Sequence, residues 1–236
     1  MFLKANSMGA SPAIRGWNLA PNGRGGFTLV ELLVVLTVIA LLAALLLPAL
    51  SRSKHSARAT QCLNQMRQLG VAVRLYVDEN GDSFPRSQHS AFANGELPWE
   101  RSVAPMLGSS TVNWTNLLLG LYHCPVDTRS KPWSYGLNVY YELGAGDDYT
   151  GKPQTWRHLA QVPHPSATVL FAENNSSADH LMPQYWYSQA DAVDLAGARH
   201  SGRANYNFAD GHASLLRVNS IYNPPQLDPW NPLLAQ

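Results

Sequence analysis

Gly25-Gly26-Phe27-Thr28-Leu29-Val30-Glu31-Leu32-Leu33 opens an apolar run that continues as Val34 to Ala49 and ends at Leu50. Twenty of the 24 residues from Phe27 to Leu50 are apolar. As a helix the run is about 36 Å long, enough to cross a hydrocarbon core of roughly 30 Å. A cleaved secretory signal would have a shorter apolar region ending at a small-residue site, whereas this one ends in Leu-Pro-Ala-Leu followed by Arg52, Lys54 and Arg58. The run therefore reads as a membrane span.

The rest of the 236-residue chain looks ordinary once the run is set aside. Of the chain's 45% hydrophobic residues, removing the 20 in the run leaves 86 of 212, about 41%. Seventeen Lys+Arg against sixteen Asp+Glu give a net charge of +1. No bulk basic field points to nucleic acid, and no acidic excess points to a solvating tail. Residues 1–26 contain Lys4, Arg15 and Arg24 and no acid, and read as an unstructured leader. Positive charge stands on both sides of the span, so charge counting alone leaves its orientation open.

Glu31 is the fifth residue of the run, where an unpaired carboxylate costs a few kcal/mol even on lenient insertion scales. Either it is functional or it lies near enough to the interface to reach water. The glycine pair, Phe27 and Glu31 at this spacing resemble the prepilin peptidase site of type IV pilins and type II secretion pseudopilins. The resemblance implies cleavage between Gly26 and Phe27 by a prepilin peptidase and methylation of Phe27. It also implies that Glu31 matches the N-terminal amine of a neighbouring subunit during assembly, and that Pro48 sits where such helices carry a proline. Cleavage would take +1 to 17−3−16 = −2.

Beyond Pro48, Ala59, Cys62, Leu63, Met66, Leu69, Val73, Tyr76 and Val77 recur at spacings of three and four with polar residues between. That is an amphipathic helix continuing to about Asn80, where Gly81 and Pro85 stop it. From Phe27 the rod would be about 80 Å long. Asp78, Asn80 and Asp82 match a calcium loop poorly, since the glycine is misplaced and no bidentate glutamate follows, so a capped helix end is preferred. The expected domains are a leader (1–26), a transmembrane and assembly segment (27–50), an amphipathic stem (51–80) and a globular ectodomain (81–236).

The ectodomain pattern is short strands broken by Pro, Gly and Asn. Ala167–Ala172 reads as a buried strand, and Ala204–Phe208, Asp210-Gly211 and Ala213–Val218 read as a hairpin. Leu143–Pro153 and Asn174–Gly197 read as long surface loops, and the proline-bearing tail from Asn223 as extended. The expected fold is α+β: a long pilin-type helix, transmembrane in its first half, packed against a small antiparallel sheet.

Two cysteines, Cys62 and Cys124, make up the cysteine complement. In an oxidising compartment they could bridge, or they could be two buried thiols, and the sequence leaves both open. His200, nine residues and Asp210-Gly211 form an H-x9-DG pattern within Arg199–His212. With Cys124-Pro-Val-Asp127, Ser134–Asn138 and Thr168–Glu173, it resembles the H-x9-DG domain found with prepilin-type N-termini in one branch of pseudopilin-like proteins. The Asp-Gly pair suits a tight turn. The competing reading is a metal site made of Glu173, His200, Asp210 and His212, whose N and O donors could converge across strands.

Eight scattered histidines form no His-Glu-x-x-His helix, and there is no Gly-x-Ser-x-Gly elbow and no phosphate loop. No enzyme and no cofactor are expected. Trp99, Trp114, Trp133, Trp156, Tyr185, Trp186 and Tyr187 read as core in preference to a ligand platform. The resemblance implies a structural subunit of a type II secretion pseudopilus or type IV pilus-like filament, partnered by the peptidase and by other pilin-type subunits. It would be single-pass in the inner membrane with a cytoplasmic N-terminus and a periplasmic head, or at the cell surface once assembled. The alternative is a minor subunit or membrane-tethered module that binds carbohydrate or secreted cargo.

Overall fold

The computed structural model describes residues 26–130, 132–142 and 156–236. The expected leader, apart from Gly26, and the expected loop Leu143–Pro153 lie outside the described residues. The chain divides into two compact units, Met1–Pro48 and Ala49–Gln236.

Helix α1, Leu29–Glu79, takes in both the apolar run and the amphipathic stripe, with Pro48 inside it. It is long and apolar enough to cross a membrane. Within the first unit its large side chains are exposed all round, as Leu29, Leu36, Leu41 and Leu45 show. In the second unit the stripe expected from spacing is buried: Cys62, Met66, Leu69, Val73 and Val77 are fully covered. The helix ends where glycine was expected to end it. Gly81 is left-handed at φ 61°, Asp82 follows at φ 66°, and the Asn80 and Asp82 amides both donate to the Val77 carbonyl. Asn80 and Asp82 are used in this terminus, Asn80 Nδ2 donating to the Tyr76 carbonyl and Asp82 accepting from the Ala160 amide.

Short helices α2 (Gln88–Ala93) and α3 (Trp99–Ser102) precede the sheet. The strands are β1 (Tyr135–Asn138), β2 (Val169–Glu173), β3 (His180–Leu181), β4 (Ala204–Phe208) and β5 (Ala213–Leu216), in the order β3-β1-β2-β4-β5. β2 pairs antiparallel with β1 and β4, and β4 with β5. The sheet is mixed, not antiparallel as expected, because β3 pairs parallel with β1. The reason is topological: β3 reverses direction after β2 and joins the far side of β1, which already runs opposite to β2.

Both faces of the sheet are covered. Tyr135, Leu137, Leu170 and Phe171 pack with the stem stripe, Phe84, Trp99 and Tyr122, and Trp99 meets Tyr122 and Phe171 edge-on. On the other face Val169, Ala172, Leu181, Tyr206 and Phe208 pack with Trp186, Tyr222 and Trp230. A register shift between Val169 and Phe171 lets neighbouring Leu170 and Phe171 serve the same core.

Two segments differ from expectation. Asn174–Gly197 supplies β3 and the buried Asp179, Leu181 and Trp186, so it is a layer of the core instead of a surface loop. The tail from Asn223 folds back through turns instead of extending. Trp230 is fully buried there, its carbonyl accepting from Asn138 Nδ2. Burial of a large indole against Trp186 and Tyr206 outweighs the extended bias of four prolines.

Candidate functional site

The segment from Gly26 to Glu31 is built by local chemistry. Thr28 precedes the first helical residue, and its hydroxyl accepts from the Glu31 amide at 3.2 Å while Glu31 Oε2 accepts from the Thr28 amide and hydroxyl at 2.8 Å each. This is a reciprocal capping box, in which two otherwise unpaired amides at the helix start are satisfied. The Thr-x-x-Glu spacing is the sequence sign of this cap, which adds a local role to the interface and assembly readings of Glu31. The carboxylate is thus hydrogen-bonded within its own chain, one turn from the Gly26–Phe27 bond. Phe27 is 71% exposed.

The second constellation lies inside the head, where residues from four separate sequence motifs meet. Cys62 on α1 and Cys124 are joined in a disulfide with Cα atoms 5.3 Å apart. Closing a loop with 62 residues of separation is worth about 4 kcal/mol in the chain-entropy description. His200 Nε2 lies 3.6 Å from Cys124 Sγ and 2.6 Å from Glu173 Oε1. Asn205, next along β4, donates its amide to Glu173 Oε2 and its side chain to Oε1, both at 3.2 Å. Ser134, just before β1, accepts from the Cys124 amide at 3.0 Å and donates to Asp127 Oδ2 at 2.7 Å.

Asp127 is the hub on the outer side of this network. Arg129 grips both of its oxygens, at 2.8 and 2.6 Å, and Arg199 reaches it at 3.2 Å. Burial pushes this carboxyl up, but Arg129, Ser134 and Arg199 outweigh that and hold it well below the usual carboxylate range. Both arginines also donate to the Asn174 carbonyl, so the chain leaving β2 is tied to the loop before β1. Arg129 carried no motif, and only the fold shows its role.

The four residues proposed as metal ligands from sequence are not brought into one cluster. Glu173 and His200 form one buried pair. Asp210 and His212 form another at 2.6 Å, partly exposed on the β4–β5 turn. Among the described residues the group of donors within 4.8 Å of one another is Cys62, Cys124, Glu173 and His200. The disulfide takes both sulfurs out of thiolate chemistry, which leaves one imidazole and one carboxylate. The arrangement fits a hydrogen-bonded clamp around the disulfide.

The Asp-Gly turn has its own task. Gly211 is at φ 96°, and Asn207 Nδ2 donates to the Gly211 and His212 carbonyls at 3.0 and 2.9 Å. The turn rests on α1 at Gly70, where a Cβ would stand 2.1 Å from Asn207 Nδ2 and 2.6 Å from the Gly211 carbonyl oxygen. A glycine inside a helical stripe was the available sign of this close approach. A further buried acidic group consists of Glu100, Glu142 and Asp179. Asp179 accepts from the Gln88 amide and Glu142 from the Ser87 amide, both at 2.7 Å. Burial first, and then the nearby Asp179 carboxylate, raises the Glu100 carboxyl well above its ordinary value.

The aromatic residues are core for the most part. Trp99, Trp133, Trp156 and Trp186 are buried, Trp114 is half-buried, and Tyr185 and Tyr187 are exposed.

A family model described as the prokaryotic N-terminal methylation motif matches residues 21–47. The chain carries a prepilin-type N-terminus. This motif supports a type IV pilin-like protein and implies processing by a prepilin peptidase and assembly with other pilin-type subunits. The matched residues contain the Gly26–Phe27 bond, the Thr28–Glu31 cap and most of the apolar run. No curated protein and no solved structure matches the chain.

Proposed function

We propose that this protein is a structural subunit of a type II secretion pseudopilus or type IV pilus-like filament. It is cleaved after Gly26, methylated on Phe27, held in the inner membrane by residues 27–50 with its head in the periplasm, and assembled through its N-terminal helix. The observation that carries this reading is the methylation motif lying directly on an exposed apolar helix of spanning length. Glu31 supplies register by exchanging its bonds to Thr28 for the amine of a neighbour's Phe27. The head is a structural cap of the H-x9-DG kind and not a catalyst. Its motif residues are spent on a disulfide clamp and on the turn that seats the stem, which supports that role.

N-terminal sequencing and mass analysis of the membrane-purified protein test the reading. Methyl-Phe27 at the start is expected, and an intact Met1 would overturn it. Among the described residues the cargo-binding alternative draws support from the exposed Tyr185 and Tyr187, since the buried tryptophans are committed to the core.

A further inference from the structure

A cavity of about 300 Å³ lies between the start of the stem and the loop after His200. That is the small end of ligand-binding cavities, roughly 300–1,000 Å³. Arg52, His55 and Ser56 line it from one face of α1, and His200, Ser201 and Arg203 from the loop opposite. Among the described residues no carboxylate lines it. Arg52 and Arg203 are exposed, and among the described residues neither has an acidic partner. Ser201 at φ 55° and Gly202 at φ 81° turn the loop tightly, and the His200 amide donates to the Arg203 carbonyl at 2.8 Å, which fixes Arg203 beside the stem.

Two features of the sequence say what kind of anion comes here. Arg52 follows Leu50, the last apolar residue of the span, by two positions, about 3 Å of helical rise. From Ser51 to Val77 the stem carries Arg52, Lys54, Arg58, Arg67 and Arg74 and no acid, although the mature chain has a net charge of 17−3−16 = −2. With a cytoplasmic N-terminus these charges stand on the side of the membrane where basic residues are disfavoured for topology. Topology therefore does not account for them, and a ligand at the membrane surface does.

We propose that this cavity holds the phosphodiester headgroup of an anionic phospholipid in the leaflet facing the head, with Arg52 and Arg203 as the paired cations and the Ser56 and Ser201 hydroxyls as donors. Guanidinium groups suit this ligand because their planar fork matches two phosphate oxygens at once. The site would fix the height and rotation of the stem at the membrane surface before assembly. It rests on the reading of residues 27–50 as a span.

The test is native mass spectrometry of the full chain in detergent with phosphatidylglycerol and phosphatidylcholine in equal amounts. At roughly fivefold per basic residue near a membrane surface, two arginines give a preference for phosphatidylglycerol of about 25-fold. R52Q/R203Q is expected to abolish it, whereas K54Q, which removes a neighbouring charge outside the cavity, costs at most about fivefold. All three side chains are exposed, and an unchanged melting profile certifies the fold of each variant. Equal retention of the two lipids by the unaltered chain overturns the proposal, as does a preference that survives R52Q/R203Q or is lost equally in K54Q. Full displacement of the lipid by millimolar inorganic phosphate assigns the cavity to free phosphate and overturns the lipid version. Loss of subunit association in R52Q/R203Q with lipid preference unchanged assigns it to a partner's carboxylates, with the same result. Resistance to alkaline extraction in the same preparation reports the span separately, so a membrane-integral protein without lipid preference loses the cavity assignment and keeps the prepilin reading.

Discussion

Leu45 and Leu69 are the same side chain on the same helix, yet Leu45 is 73% exposed and Leu69 is fully buried. Residues 29–50 have no need of the rest of the protein to be helical, since the capping box starts them and their predominantly apolar character suits them to lipid. Residues 59–77 are helical with every third or fourth side chain committed to a core shared with a sheet whose strands lie 58 (135−77) to 157 (216−59) residues further on. One half of α1 is specified by its own composition, and the other by partners distant in sequence. The difference teaches that a continuous helix can carry two separate stabilities.

Leucine truncation tests this most sharply. Leu69→Ala is expected to destabilise the head by about 3 kcal/mol, within the range for buried leucines. Leu45→Ala is expected to leave the head's melting unchanged when thermal unfolding of the full chain in detergent is followed by near-ultraviolet circular dichroism. Equal losses would erase the distinction between the two halves.

A smaller effect comes from filling space. Gly70→Ala pushes a methyl into Asn207 Nδ2 and the Gly211 carbonyl, and overpacking of this kind costs about 2 kcal/mol, more than the gain in helix propensity returns. Ala44→Leu adds more volume on the exposed half and is expected to leave the same unfolding signal where it was. If Gly70→Ala proves neutral, the Asp-Gly turn does not bear on the stem as described.

The smallest expected effects are those of pH, and they belong to the head alone. Glu100 has a raised carboxyl, so the folded head binds a proton that the unfolded chain releases. Stability then rises as pH falls through the raised value towards the ordinary glutamate pKa of about 4.3. Asp127 is depressed, and its contribution is complete above about 3.9 and is lost as pH falls further through its folded value. Glu100→Gln should flatten the mildly acidic rise, and Asp127→Asn the loss at lower pH, both read from melting temperature against pH. A mildly acidic limb unaltered by Glu100→Gln would remove Glu100 from the account.

What could be read from sequence follows the same division. The span, the end of α1 at Gly81 and the β4–β5 hairpin are set by residues within a few positions of each other, and spacing alone shows them. The parallel placement of β3, the inward fold of Trp230 and the grip of Arg129 and Arg199 on Asp127 depend on which distant segments meet, and no period records that. Glu173 and His200 were singled out as donors, but not that a disulfide would lie against them or that Asp210 and His212 would pair elsewhere. Gly70 passed unremarked because its meaning lies in Asn207, on a strand 137 positions away (207−70).

In the filament proposed above a subunit would be loaded mechanically, and the Cys62–Cys124 bond would decide which part of the head feels the load. Tension entering along α1 passes at Cys62 directly to Cys124, so the 61 residues between them (124−62−1) lie on a slack branch. The end of the stem, α2 and α3 sit on that branch. Stretching the oxidised protein from both ends can never extend it by their length, and reduction would lengthen the force-bearing path by all 61.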